Sequence, residues 1–279
     1  MKTIAKPALF TCLLTLCVAG PLALIELSRA PVEPRETHTT ASRLADFGPA
    51  ARARLSGVFG RAGVPYPPAR VRLAAFKQEG RLDLFAAADA HGRELRFIKS
   101  YDVDAGPQPM QAAYRGPKLM EGDRRTPEGL YRLEGLNPNS IEHVSIRIGY
   151  PNRQDRARAA AAGRPPEALG GDIMLHGGGP GGTEGCLKLT DREVEELFTL
   201  LADARADAAR AGRPLPADIL IAPYDFRFAS ADHDVLEAAR LDAALPEWAP
   251  ALYAEIDRSL ADLPTAEPGA RFRTWLAAD

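Results

Sequence analysis

Cysteine is scarce in this chain of 279 residues, which contains only three. Two of them, Cys12 and Cys17, lie inside an apolar N-terminal segment, so Cys186 is the one thiol in the rest of the sequence. No second cysteine and no pair of histidines stands at the spacing of a zinc site, which needs three or four protein ligands. The sequence therefore indicates no metal site, and it indicates no organic cofactor.

A surplus of positive charge is also lacking. The 35 Lys and Arg residues are balanced by 37 Asp and Glu residues, giving a formal net charge of −2 at pH 7. Proteins that bind nucleic acid usually show a basic surplus, so nucleic acid is not an expected partner. The glycines at 177, 179 and 182 formally satisfy G-x-G-x-x-G, but Pro180 interrupts the motif and no helix is predicted directly after it. Nucleotide binding is therefore not expected either.

Only one long apolar run is present, and it extends from residue 7 to residue 25 after two lysines. This layout is typical of a secretory signal or a signal anchor, and about 20 residues are enough to cross a bilayer. We assign residues 1–27 to this signal. Because prolines spoil the small-x-small cleavage sites, we favour an uncleaved anchor at residues 4–25, which places the protein in the periplasm or cell envelope. A secreted protein with one free thiol generally uses it.

The candidate catalytic residues lie in the stretch from Asp172 to Phe198. His176 ends an apolar run, and Cys186 follows ten residues later, beyond a loop made almost entirely of glycine. We predict short strands at residues 173–175 and 186–189, between which the glycines allow the chain to reverse. This arrangement brings His176 and Cys186 side by side.

A histidine beside a cysteine is the arrangement that acyl transfer through a thiol requires. The thiolate is the nucleophile, and a neighbouring imidazole can accept the proton of the thiol. Glycine at positions 177 and 185 leaves backbone N–H groups approachable by the oxyanion of a tetrahedral intermediate. Each residue alone is more often structural, since free cysteine is commonly an inert apolar side chain. Their combination across a glycine loop favours a catalytic role.

These residues carry a resemblance to a known family. His176-Gly177, followed by Thr183-Glu184-Gly185-Cys186, resembles the HG…[S/T]-x-G-C signature of the L,D-transpeptidase catalytic domain family (YkuD-like). Further motifs resemble, in the same order, the YafK-like branch of that family: Gly116-Pro117-Lys118, Glu121-Gly122-Asp123, Thr126-Pro127-Glu128-Gly129-Leu130-Tyr131, Asn137-Pro138-Asn139-Ser140, and Ile148-Gly149-Tyr150-Pro151-Asn152 with Asp155-Arg156. The resemblance extends over about residues 65 to 228.

The resemblance implies Cys186 as nucleophile and His176 as base. It also implies a role in binding substrate for five further residues: Thr183, Lys188, Lys118, Asp155 and Arg156. Lys188 stands where the wider family usually has arginine, and it offers a point charge instead of a bidentate fork. For Lys118, solvent exposure is the commoner situation of a lysine and stays open as an alternative.

The implied activity is acyl transfer from a peptidoglycan stem peptide through a Cys thioacyl-enzyme. If an amine accepts the acyl group, the protein is an L,D-transpeptidase. If water accepts it, the protein is an L,D-endopeptidase or amidase that cleaves wall crosslinks or releases a wall-attached lipoprotein. A non-catalytic wall-binding protein is a third possibility, but binding alone needs neither His176 nor Cys186.

The predicted architecture is mainly β with peripheral helices (α+β). The resemblance implies an L,D-transpeptidase-type β-sandwich with a helix after the cysteine strand. We expect a linker and short helices at 28–63, the catalytic domain at 64–228 and a helical C-terminal extension at 229–279. Three short apolar runs between residues 71 and 98 indicate a meander of hairpins.

Local signals predict three further features. Thr190 and Glu193 form a capping-box pattern, followed by an apolar face that carries a helix to about Arg210. Residues 153–166 are compatible with either a short helix or a mobile flap. His143 stands just before a predicted strand, where a hydrogen-bonded or solvated role is expected.

Overall fold

The structure is a computed structural model that describes residues 37–91, 94–109, 116–228 and 245–265. The predicted signal segment lies outside the described residues, as do residues 229–244 and 266–279 of the predicted C-terminal extension. None of the described helices is long and apolar enough to cross a membrane.

Nine strands form one continuous series of pairings. Their order across the sheet is β3-β2-β1-β9-β5-β6-β7-β8-β4. The strands are β1 (Arg70–Phe76), β2 (Arg81–Ala87), β3 (Arg96–Asp102), β4 (Asp104–Ala105), β5 (Gly129–Asn137), β6 (Ser145–Ile148), β7 (Met174–His176), β8 (Leu187–Lys188) and β9 (Ala217–Ala222). The predicted meander is confirmed, because β1 pairs antiparallel with β2 and β2 pairs antiparallel with β3.

Strand β5 connects two groups of strands. Its first four residues, Gly129 to Arg132, pair with β9, whereas Leu133 to Asn137 pair with β6 across a bulge. The first group therefore contains β3, β2, β1 and β9, and the second contains β6, β7, β8 and β4. The two strands that flank the glycine loop, β7 and β8, are adjacent and parallel in the second group.

Five α-helices surround the described sheet, which confirms a mainly β domain with peripheral helices. They are α1 (Thr40–Asp46), α2 (Gly48–Ala62), α3 (Arg153–Ala161), α4 (Asp191–Arg210) and α5 (Ala249–Ala261). One buried core contains apolar side chains of α2, α4 and both strand groups. A second core packs α5 against β1, β2 and β9, with Leu252 and Ile256 of the predicted C-terminal extension buried in it. Pro250 lies in the first turn of α5, where proline is tolerated.

Helix α4 follows the cysteine strand as the sequence predicted. The hydroxyl of Thr190 accepts the N–H of Glu193, and the Glu193 side chain accepts the N–H of Thr190, so the capping box is complete. The helix ends at Arg210. Its apolar face, with Val194, Leu197 and Leu201, lies in the core beneath the sheet. This packing fixes the chain that leads directly out of the candidate site.

Helices α1 and α2 share the main core with the sheet. Buried Glu196 of α4 accepts Arg54 Nε of α2 at 2.5 Å and Lys99 Nζ of β3 at 2.9 Å. Leu55 and Phe59 of α2 are fully buried in the same core. The segment predicted as linker and short helices therefore packs against the sheet from residue 40 onward, while the boundaries of the predicted domains stay a prediction.

Candidate active site

The register of β7 and β8 places His176 and Cys186 on one face of the sheet. Leu175 pairs with Leu187 and His176 with Lys188. Both leucines are fully buried in the core. Because side chains alternate along a strand, His176 and Lys188 point to the opposite face. Cys186 precedes Leu187 and therefore lies on the same face as His176, one strand away.

The thiol of Cys186 is held by two backbone groups. Its Sγ accepts the N–H of Met174 at 3.4 Å and donates to the carbonyl of Asp172 at 3.7 Å. Burial raises the pKa of the thiol above its ordinary value, although the Met174 N–H and the charge of Lys118 act in the opposite direction. The resting cysteine is therefore a neutral thiol whose proton points towards a carbonyl.

The imidazole of His176 is oriented by its own loop. Its Nδ1 lies 2.7 Å from the carbonyl oxygen of Gly177. A carbonyl only accepts, so Nδ1 carries the proton and Nε2 is the basic nitrogen of the neutral ring. Burial lowers the pKa of His176 below its ordinary value. A neutral imidazole with a defined tautomer is the state that a general base requires.

Thr183 organises the loop that carries the thiol. Its hydroxyl donates to the carbonyl of Cys186 at 2.7 Å and accepts the N–H of Gly185 at 3.2 Å. Its backbone N–H donates to the carbonyl of Gly106 at 2.8 Å. The side chain that the resemblance associated with substrate is thus engaged within the loop in this structure.

Glycine is required at position 185 for two reasons. The residue has φ +117°, and a Cβ there would lie 2.7 Å from the carbonyl oxygen of Arg125. An L side chain rarely adopts this backbone conformation. The chain can therefore pass this close to Arg125, immediately before the nucleophile, only without a side chain.

We expect Gly185→Ala to displace Cys186 and to lower the free energy of unfolding by about 1–3 kcal/mol, the usual cost of a strained backbone position. Gly181→Ala is the matched control, because Gly181 has φ +130° but no heavy atom within 4 Å of its Cβ position. Chemical denaturation and turnover measure both effects. Equal losses of activity in the two variants would show that the close approach to Arg125 does not position the thiol.

Gly177 is constrained by the start of α4. A Cβ at Gly177 would lie 2.5 Å from Oδ1 of Asp191, and the same oxygen accepts the N–H of Gly178 at 2.7 Å. The loop after His176 is therefore anchored to the first turn of the helix that follows the cysteine. Lys188 is half-buried and is the neighbour of His176 on strand β8. Its Nζ lies 3.8 Å from the carboxylate of Glu142.

Lys118 is buried, with 7% of its surface exposed, so the alternative of a solvated lysine is wrong. Its Nζ donates to Asp123 Oδ1 at 2.8 Å and to the carbonyl of Met120 at 3.0 Å. The Asp123 carboxylate also accepts the backbone N–H groups of Leu119, Met120 and Arg125. Residues 118–125 therefore form a tight loop around one carboxylate, and its Arg125 end contacts the loop of the nucleophile.

A buried ion pair fixes both ends of this loop. Lys77 Nζ donates to the carbonyls of Gly116 and Thr126 and to Glu128 Oε1, at 2.8, 3.1 and 2.8 Å. Both side chains are almost fully buried. Removing one member of such a pair leaves an uncompensated buried charge.

We expect Lys77→Met to lower the free energy of unfolding by about 3 kcal/mol or more. The double variant Lys77→Met/Glu128→Gln should recover much of that loss, because no buried charge is then left unpaired. Urea denaturation of the two single variants and the double variant measures the coupling. If the decrease in the free energy of unfolding of the double variant equals the sum of the decreases of the two single variants, the ion pair does not hold the loop.

Asp155 lies in the first turn of α3. Its carboxylate accepts the N–H of Asn152 at 2.9 Å and lies 3.3 Å from the hydroxyl of Tyr131. Asn152 in turn caps α3. The stretch left open between a helix and a flap is therefore helical from Arg153 to Ala161. It is braced further by Arg158, which lies over the ring of Trp248 at 4.9 Å.

Arg156 is exposed on α3 and donates to the carbonyl of Pro151. It lines a groove whose lining includes neither Cys186 nor His176. His143, predicted to be hydrogen-bonded or solvated, lies 3.1 Å from Glu195 of α4.

Three groups at the site have no signal in the sequence. Asp172 and Met174 act through their backbone carbonyl and N–H, which any residue supplies. Asp172 also has φ +55°, a conformation that no simple pattern predicts. Asp191 is visible only as an acidic residue at a helix start, and its contact with the glycine loop depends on the packing of α4.

Comparison with known proteins agrees with this geometry. Residues 93–213 match the model of the YkuD family, described as the L,D-transpeptidase catalytic domain. A 164-residue segment is 28% identical to YafK of Escherichia coli K12, whose assignment as an L,D-transpeptidase is itself provisional. The alignment covers 58% of this chain and 56% of YafK, so the chain spans little more than half of the curated relatives it matches.

Solved structures are also similar to part of this chain. The helical cell shape determining protein Pgp2 from Campylobacter jejuni is 20% identical, with a TM-score of 0.41 over 56% of this chain and 48% of Pgp2. L,D-transpeptidase 1 from Mycobacterium tuberculosis is 9% identical, with a TM-score of 0.29 over 55% of this chain and 61% of the other. The assignment rests on the sequence matches and not on these superpositions. The match of residues 93–213 to the YkuD family model and the similarity to YafK confirm the resemblance seen in the sequence.

Proposed function

We propose that the protein is a cysteine-dependent acyl transferase that acts on peptidoglycan stem peptides. The observation that carries the proposal is the pair of adjacent parallel strands with Cys186 and His176 on one face. The tautomer of His176 supports it, because Nδ1 is engaged by Gly177 and Nε2 is basic. The names of the sequence relatives and the family match support the substrate class.

Acylation begins from two neutral groups. When a donor peptide reaches the site, the thiol proton moves from Cys186 to Nε2 of His176, and Sγ attacks the carbonyl carbon of an L,D-linked peptide bond. The tetrahedral intermediate then collapses with cleavage of the C–N bond. The imidazolium gives its proton to the leaving amine, and a thioester on Cys186 remains.

The oxyanion requires N–H donors close to Sγ. Those of Gly185 and Cys186 are the nearest along the chain, and the absence of a side chain at 185 leaves them approachable. In the resting structure the Gly185 N–H is engaged by the Thr183 hydroxyl. The Cys186 N–H is therefore the principal donor, and that of Gly185 contributes if the Thr183 hydroxyl turns away.

The second half-reaction determines whether the protein is a transpeptidase or a hydrolase. An amine that attacks the thioester gives transpeptidation, and water gives hydrolysis, including release of a wall-attached lipoprotein. Both use Nε2 of His176 to accept the proton of the incoming nucleophile. We favour the transferase, because the family and YafK are both described as L,D-transpeptidases.

The test is incubation of the purified protein with muropeptides and with wall that carries bound lipoprotein, followed by mass spectrometry. New crosslinks or exchanged terminal residues that are absent with Cys186→Ala would support the transferase. Cleaved bridges or released protein would move the hydrolase ahead. Identical products from the wild type and Cys186→Ala on every substrate would leave only a wall-binding role.

The pH dependence follows from the two shifted pKa values. His176 must be neutral to accept the thiol proton, and its pKa lies below the ordinary value of 6.5. We therefore expect kcat/KM to decrease only below pH 6.5, as His176 becomes protonated. The pKa of Cys186 lies above 9.0, so alkylation of the resting thiol by iodoacetamide should rise with pH without a plateau below that value. A plateau at neutral pH would instead indicate a preformed thiolate.

We further propose that the catalytic domain acts in the periplasm or cell envelope, attached to the inner membrane through residues 4–25. The proposal rests on the apolar N-terminal run and on the location of the substrate. Fractionation of cells that express the full chain, with and without residues 1–27, tests it. Equal amounts in the cytoplasmic fraction would contradict it.

A further inference from the structure

A groove of about 620 Å³ opens beside the site and has no role in the mechanism above. Its floor is β5 and the end of β6, and its wall is the segment that contains α3 and the 3-10 helix Pro166–Leu169. Leu130 on the floor is an apolar side chain with 44% of its surface exposed. Asn152 closes one edge by donating from its side chain to the carbonyl of Leu130 at 3.2 Å. The groove therefore lies between elements of secondary structure that hydrogen bonds hold together.

Arg147 connects the groove to the two residues that hydrogen-bond the thiol. Arg147 of β6 pairs with Met174 of β7, and opposite residues of antiparallel strands lie on the same face. The N–H of Met174 donates to Sγ of Cys186. Arg147 Nη1 also lies 2.6 Å from the carboxylate of Asp172, whose carbonyl accepts the thiol proton. Arg147 lines the groove, so the groove and the nucleophile are joined on one face by adjacent residues.

The groove and His176 lie towards opposite ends of strand β7. Strand β7 runs from Met174 to His176, and the groove lies at the beginning of this strand, where Gly170 and Gly171 form part of its lining. The strand neighbours of His176 are Ser145 and Lys188, and neither lines the groove. The groove therefore lies at the Met174 end of β7, beside the backbone N–H that donates to Sγ, whereas the base lies at the other end of the strand.

This direction decides which part of a substrate the groove can hold. The leaving amine takes its proton from His176, so it must lie on the His176 side of the attacked carbonyl. The acyl portion, which stays bonded to Sγ, extends to the other side. Geometry therefore gives the acyl portion to the groove and the departing amine to the side of the glycine loop.

The charges of the groove define the chemistry of its ligand. Three arginines line it, Arg132, Arg147 and Arg156, together with the carboxylates of Glu134 and Glu167. Arg147 is engaged by Asp172 and Glu134. Arg132 and Arg156 are exposed and form no ion pair with another described residue. A guanidinium fork matches a carboxylate, so the available donors suit a peptide with free carboxylates.

We propose that the groove is the acyl-donor site, and that it holds a carboxylate-bearing peptide through Arg132 and Arg156 while Cys186 attacks the carbonyl at its end. The inference rests on the proposed acyl-transfer function and adds which half of the substrate lies where. The incoming acceptor, amine or water, then approaches from the His176 side.

The test uses the full chain with Cys186→Ala, which keeps the groove and performs no chemistry, titrated with purified muropeptides by calorimetry. Adding Arg132→Glu and Arg156→Glu together should weaken binding about tenfold, since two charge-assisted contacts are reversed. Arg153→Glu is the matched control, an exposed arginine of α3 that does not line the groove, and it should bind as the parent does. Muropeptides with methyl-esterified carboxylates should bind weakly to the parent and lose nothing further with the double variant.

Equal binding by the parent and the double variant would overturn the inference. In the active background, the double variant should raise KM for the donor and leave KM for the acceptor amine unchanged, whereas the opposite result would make the groove an acceptor site and overturn it as well. Failure of the reaction itself is separable. If the groove variants weaken muropeptide binding but the wild type forms no Cys186-dependent product, the groove still binds the peptide and the proposed catalysis is wrong.

Discussion

Cys186→Ser should lower turnover of muropeptides by about 10³-fold or more, with little change in the free energy of unfolding. Serine keeps the shape of the side chain, but its hydroxyl is a far weaker nucleophile than a thiol beside a neutral imidazole. Among the described residues, Sγ forms two hydrogen bonds, both with backbone groups, and a hydroxyl can take its place in them. The loss should therefore appear in kcat while the protein stays folded.

The control for this substitution is a binding measurement on the same variant. Muropeptides should bind Cys186→Ser about as well as they bind the wild type, because the groove does not contain Cys186. Full activity in Cys186→Ser would exclude the thiol mechanism. Loss of both binding and folding would show that the cysteine has a structural role.

His176→Asn should lower kcat/KM by about 10²–10⁴-fold, the usual contribution of a general base. Asparagine can still donate to the carbonyl of Gly177, but it cannot accept the proton of Cys186. The acid limb of the pH profile should disappear in this variant, because it reports the protonation of His176. Activity at several pH values measures both effects.

His143→Asn is the matched control for the histidine substitution. His143 lies 3.1 Å from Glu195 and against the ring of Phe47, and its φ of +72° suits asparagine. It should change stability slightly and leave the pH profile intact. An equal loss of activity in both variants would mean that His176 acts through folding and not as a base.

Periodicity and capping signals in the sequence were sufficient to predict the core of the fold. The helix from Asp191 to Arg210 was predictable because Thr190 and Glu193 cap it locally, independently of the rest of the chain. The hairpins of β1 to β3 were predictable because turn residues separate the apolar runs. Strands β7 and β8 are separated by only ten residues, yet they pair in parallel and not as the hairpin that a chain reversal at the glycine loop would give, so local patterns predicted the two strands but not their pairing.

The site was predictable only where side-chain chemistry is specific. Cys186 and His176 stand out by residue type, and they stay the predicted nucleophile and base. For Lys118, solvent exposure was the alternative to a role in binding substrate, because most lysines are exposed, but Asp123 lies close enough to hold its ammonium group inside a folded loop. The part of the site formed by Asp172 and Met174 is made of backbone groups, which carry no sequence signal.

The resemblance implies that Thr183, Asp155 and Arg156 bind substrate, and the structure places these three side chains in different surroundings. Thr183 and Asp155 are engaged in hydrogen bonds that organise their own segments. Arg156 is free of ion pairs with other described residues and lines the groove. Roles in binding substrate stay predictions for all three, and the groove variants test that of Arg156 directly.

Intact-mass spectrometry of the protein mixed with muropeptides and quenched in acid shows whether Cys186 carries the acyl group between donor and acceptor. The mechanism predicts a mass increase equal to the acyl portion of the donor, located on the peptide that contains Cys186, absent in Cys186→Ala and discharged by hydroxylamine. Product formation by the wild type with no adduct on Cys186 at any quench time, and no loss of product in Cys186→Ala, would contradict it.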